Sequence, residues 1–134
     1  MLNNHFNSTT EIKKRQQMLV FNLITVVSDY RYYCAGTEEP ALYGGSYDYT
    51  SEERLAEIRC NGADLVSFVQ EVISHQKKIQ HSDNKAVKEF RKAGETDSRF
   101  RTIYSVFKKM DKEDLRNPQK ILRGLEKEKL LLVP

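Results

Sequence analysis

Ten lysines and arginines after residue 81 recur at spacings of three, four and seven: Lys85, Lys88 and Lys92; Arg101, Lys108 and Lys112; Arg116, Lys120, Arg123 and Lys127. On helices these spacings bring each set to one face. A row of like charges is the chemistry of phosphate tracking, in which each cation neutralises one phosphate and releases a counterion. Glu89, Glu113 and Glu126 lie among them, so the competing reading is a set of amphipathic helices with solvated outer faces.

Charge is divided along the chain in the same sense. Residues 1–75 carry six basic and ten acidic side chains, net −4, and residues 76–134 carry sixteen and nine, net +7, which sum to the overall +3. Such a division speaks to partners, favouring a polyanion on the basic half. DNA or RNA is therefore the expected ligand of Lys85, Lys88, Lys92, Arg101, Lys108, Lys112, Lys120, Arg123 and Lys127.

Catalytic chemistry finds less to work with. Glu71 and His75 stand four apart on one helix face, but two ligands do not complete a metal site, and His81 lies near the expected helix end. Glu52, Glu53, Glu57 and Asp64 loosely resemble the acidic helices of nucleotide pyrophosphohydrolases, although the paired acidic motifs with their spacings are absent. The sequence has no glycine-rich phosphate loop and no GxSxG. The expectation is a protein that is not an enzyme and takes no cofactor or metal, with a divalent-metal hydrolase as a distant third reading.

Residues 36–50, GTEEPALYGGSYDYT, combine Pro40, Gly44 and Gly45 with three tyrosines and read as a loop. Tyr43, Tyr47 and Tyr49 are a lid over the core, a set of rings that stack on bases, or a partner-binding surface, since tyrosine is a good interface anchor. The second functional expectation follows from them: a small inhibitor or adaptor that occludes a partner protein through this loop and the acidic half.

Residues 117–133, NPQKILRGLEKEKLLLV, resemble the recognition-helix segment of winged-helix DNA-binding proteins. The resemblance rests on Asn117, Pro118, Ile121, Leu125, Leu130 and Leu131 and departs from the pattern at Lys129, where a glycine usually makes the tight turn. It implies that Gln119, Lys120, Arg123 and Lys127 would face a DNA groove.

The elements that must position these residues are helices. A loose arm, residues 1–7, precedes a capping box of Ser8 and Glu11, and helical periodicity then runs to about Cys34 with Gly36 able to close it. Apart from Asn22 and Thr25, with Asp29 beyond them on the same stripe, residues 18–27 are apolar around the helix, which predicts either the spine of the domain or the core of a homodimer interface. Thr50 and Glu53 open a second helix whose seam is Leu55, Ile58, Gly62, Leu65, Val69 and Val72, continuous to about Ile79 with Gly62 marking a close helix crossing. Ser82 or Asp83 starts a third, stopped by Gly94, and Asp97 or Ser98 a fourth with Phe100, Ile103, Tyr104, Phe107 and Met110 inward. Asn117 and Pro118 cap a fifth through Ile121, Leu122 and Leu125, and Leu130–Val133 read as a docked tail.

The fold class is thus all-α, a single-domain bundle of about five helices over residues 1–134, with residues 82–134 as the basic half. Cys34 and Cys60 are too few for a disulfide framework and too far apart for a metal pair, and residues 13–27 imitate a signal peptide without its uninterrupted apolar run or cleavage site. A cytoplasmic protein with no membrane segment is expected.

Overall fold

A computed structural model describes residues 6–38 and 52–128. In it the chain is an all-α bundle: α1 (Thr9–Glu38), α2 (Glu52–His81), α3 (Lys85–Ala93), α4 (Ser98–Lys108) and α5 (Pro118–Lys127), with a 3-10 turn at Asp114–Arg116 and no strand among the described residues. No helix among them is long and apolar enough to cross a membrane. Tyr43, Tyr47, Tyr49, Thr50 and the tail Leu130–Val133 lie outside the described residues, as does the side chain of Cys34.

Helix starts are set by local chemistry. Ser8 Oγ accepts the Glu11 N–H at 3.2 Å, while Glu11 reaches back to the Asn7 N–H at 2.8 Å, closing the capping box. Asp97 caps α4 through the N–H groups of Arg99 and Phe100, and Asn117 caps α5 with Pro118 in its first turn. The third helix starts later than expected: Asn84, not Ser82 or Asp83, accepts from Ala86 and Val87, and Ser82 Oγ instead takes the Asn84 N–H at 3.0 Å. Gly94 ends that helix at φ 65°, ψ 38°, the left-handed conformation a side chain would strain. Gly36 does not end α1, which continues to Glu38.

The two 30-residue helices pack together as the scaffold, and α3, α4 and α5 lie against it. The main core draws Leu19, Leu23, Val27 and Tyr30 from α1, Leu65, Phe68, Val69 and Val72 from α2, Phe100, Ile103, Val106 and Phe107 from α4, and Ile121 and Leu125 from α5. A smaller cluster joins Ile12, Ile79, Val87 and Phe90 at the α3 end, with Phe6 packed on it. Phe6 therefore belongs to the folded body and not to a loose arm.

The expected seam of α2 holds from Ile58 onward but not at its start, where Leu55 is 43% exposed. The helix runs unbroken through Gly62 because α5 crosses there. An added Cβ would stand 2.9 Å from Pro118 Cγ and 3.4 Å from Tyr30 Cε1.

The first helix is not enveloped. One face, Ile12, Gln16, Leu19, Val20, Leu23, Val27 and Tyr30, is buried, while Met18, Phe21 and Ile24 on the other are 54%, 74% and 50% exposed. It is half of a two-helix scaffold rather than a central spine.

Candidate functional site

The nine cations singled out above are all exposed. Lys120 is neutralised by Asp114, Nζ to Oδ1 at 3.1 Å. The other eight form no ion pair among the described residues. Several nearby carboxylates are committed elsewhere: Glu95 to Lys13, Glu126 to Arg31 and Asp97 to Arg99. Hydrogen bonds from the Arg99 side chain and the Phe100 and Arg99 N–H groups outweigh the opposing effect of burial and hold the Asp97 carboxyl below its ordinary value.

The α3 and α5 cations stand at different levels of the scaffold. The third helix packs near Ile12 and Ile79, at one end of the scaffold, whereas Pro118 of α5 packs at Gly62. Seventeen residues of α2 separate those levels, about 26 Å at 1.5 Å per residue. Helix α4 lies between α1 and α5, and Val106 and Met110 face Gly124 of α5. At 100° per residue, Arg101 and Lys108 stand roughly 140–180° round α4 from that seam. Arg101 and Lys108 therefore face away from the contact between α4 and α5. What the fold does gather are two shorter sets, Lys85, Lys88 and Lys92 across the outer face of α3, and Arg101 with Lys108 on α4.

Glu71 and His75 do not converge. Glu71 is exposed and pairs with Arg15 at 3.8 Å, whereas His75 is buried. Its Nε2 accepts from Gln16 Nε2 at 3.2 Å, which places the ring proton on Nδ1. The ring meets Phe6 and Phe100 edge-on, with centroids 5.7 and 5.1 Å away. Burial, then the nearby positive charges of Arg15 and Lys78, lower its pKa to about 4, so the imidazole is neutral at pH 7. Gln16, fully buried, completes the unit by accepting the Asp97 N–H on Oε1 at 2.9 Å. This polar knot joins α1, α2 and the start of α4.

Glu52, Glu53, Glu57 and Asp64 are exposed along α2, and no group of three or more His, Cys, Asp or Glu side chains among the described residues can hold a metal ion. Reading by periodicity passed over Gln16, whose only signal was an amide on an otherwise apolar seam, and Arg91, whose Nη1 donates to the carbonyls of Ile79, Gln80 and Ser82 at 2.8, 3.0 and 3.2 Å. It also passed over Arg59, which with Arg116 lines a cleft formed with Tyr30, Ile58, Val66 and Pro118. No protein-family model matches the chain, and neither a curated protein nor a solved structure matches it.

Proposed function

We propose that the protein binds nucleic acid without catalysing a reaction, through the α3 row Lys85, Lys88 and Lys92 and the α4 pair Arg101 and Lys108. The observation that carries this reading is the allocation of carboxylates. Glu95 and Glu126 are bonded to Lys13 and Arg31, outside the basic half, and Glu89, one turn from both Lys85 and Lys92, forms an ion pair with neither. The charges left over are mobile, hydrated and of one sign, which suits phosphates better than base edges. The resulting binding is weakly sequence-dependent and strongly salt-dependent. The cations of α5, at another level of the scaffold from those of α3 and with Lys120 already paired, are assigned a lesser part.

The test is a titration of duplex DNA, single-stranded DNA and RNA at several salt concentrations. Five phosphate contacts give a log–log slope of about −4 to −5 for duplex DNA. Replacing Arg101 and Lys108 by Glu should weaken binding at least tenfold with an unchanged circular dichroism spectrum. Failure of all three nucleic acids to bind at low salt rejects the reading and moves attention to the adaptor alternative, in which Tyr43, Tyr47 and Tyr49 contact a partner protein. Recovery of one stoichiometric protein after nuclease treatment would favour that alternative.

A further inference from the structure

The outer face of α1 has a pattern of its own. Lys14, Met18, Phe21, Thr25, Ser28 and Tyr32 follow one another at intervals of four, three, four, three and four, the spacing of a coiled-coil seam, and each is exposed. Met18, Phe21 and Ile24 are more than half or half exposed, with Phe21 the most open large apolar side chain at 74%. The segment from Gln16 to Ser28 contains no charged residue over thirteen positions, in a chain that is 31% charged. Scattered exposed apolar residues need no explanation, but a heptad seam backed by a rigid, buried opposite face is the shape of a helix–helix interface.

We propose that this face pairs with α1 of a second copy of the chain, antiparallel, about a twofold axis level with residue 23. In that register Phe21 lies against Thr25 of the second copy and Met18 against its Ser28, with each contact repeated by symmetry. The flanking positions are self-complementary. On one side Arg15 meets Asp29 of the second copy twice over, and Asn22 meets its own counterpart, an amide that can both donate and accept. On the other side Ile24 meets Ile24. A parallel pair loses this agreement, because Lys14 then faces Lys14 and Asp29 falls beside Ile24 of the second copy. Charge complementarity thus selects both the occupant and the direction. Arg15 leaves for this purpose only an exposed 3.8 Å pair with Glu71, a contact of small worth. The inference does not rest on nucleic-acid binding.

Sedimentation equilibrium of the whole chain tests it. A dimer is expected at about 100 µM, the scale set by a short two-helix contact. Phe21→Glu should make the protein monomeric while its thermal midpoint, measured at a concentration low enough for the wild type to be monomeric too, stays unchanged, since that side chain is 74% exposed in its own copy. Asp29→Arg should weaken the dimer about tenfold by replacing two attractions with two repulsions, and Arg15→Asp in the same chain should restore it. A monomeric wild type at that concentration, or a dimer indifferent to Phe21→Glu, overturns the proposal. A dimer that Asp29→Arg does not weaken, or that the double replacement does not rescue, overturns the antiparallel register.

Discussion

Gln16 and His75, fifty-nine residues apart, share a buried 3.2 Å hydrogen bond at the crossing of α1 and α2. The amide donates, so the imidazole must stay neutral to accept, and a protonated ring would confront Arg15 and Lys78 without a counter-charge. The folded pKa of about 4 lies below the ordinary 6.5, which means the unfolded chain binds the proton more readily. The stability due to neutral His75 is complete above about pH 6.5 and is lost as pH falls toward 4. The loss amounts to about 3 kcal/mol. Urea unfolding at pH 7.5 and 4.5 reads it directly, and His75→Gln, which cannot titrate, should flatten the difference. Equal stability at the two pH values in the wild type contradicts this account.

The same knot predicts a large cost for a conservative-looking change. Gln16→Met preserves volume but leaves the buried His75 Nε2 and the part-buried Asp97 N–H without their partner. Destabilisation of about 2–4 kcal/mol follows, since each unsatisfied buried group costs on the order of 1–3 kcal/mol. A double-mutant cycle of Gln16→Met with His75→Phe should show a coupling near 1 kcal/mol, because the second change removes one of the orphaned acceptors. Additive costs in that cycle would deny the bond any energetic role.

Two glycines at the contacts of α5 with its neighbours should respond oppositely to alanine. At Gly62 the new Cβ meets the Pro118 ring at 2.9 Å, and that ring is fixed in the first turn of α5. The clash should outweigh the ~1 kcal/mol gain in helix propensity and leave a net loss of about 1–2 kcal/mol. At Gly124 the nearest atoms are Met110 Sδ and Val106 Cγ1, both at 3.4 Å, and the methionine is partly exposed and flexible. Gly124→Ala should therefore be neutral or stabilising by up to about 1 kcal/mol. Thermal melts of the two variants decide this by sign alone.

Legibility in the sequence tracked the range of the interaction. Ser8 with Glu11, Asp97, Gly94 and Asn117 with Pro118 announce helix ends because each cap acts within four residues. The one displaced start, at Asn84, falls in a run of three cap-forming residues, Ser82, Asp83 and Asn84, among which sequence cannot choose. Gly62 was readable as a crossing, though not Pro118 as what crosses it. Exposure of the basic rows was readable too. Their assembly was not, because the roll of α4 is set by where Val106 and Met110 meet α5, a contact across fourteen or more residues. For the first helix, apolarity on nearly every side concealed which face the bundle covers. Only the fold separates the Leu19, Leu23 and Val27 side from the Met18, Phe21 and Ile24 side.

Arg91 stands apart from Lys85, Lys88 and Lys92 on the same helix because its guanidinium is occupied within the chain. Its Nη1 faces three carbonyls at the end of α2, those of Ile79, Gln80 and Ser82, which the helix itself leaves without donors. The group thus fixes the angle between α2 and α3 and so the presentation of Lys85, Lys88 and Lys92. Arg91→Ala should cost about 1–3 kcal/mol through these lost charged hydrogen bonds. Arg91→Lys should recover only part, since a single ammonium on a flexible stem lacks the planar fork. Hydrogen exchange should quicken at residues 82–88 in both variants and stay unchanged in α5. Uniform quickening across the bundle would mean that Arg91 supports global stability and does not orient α3.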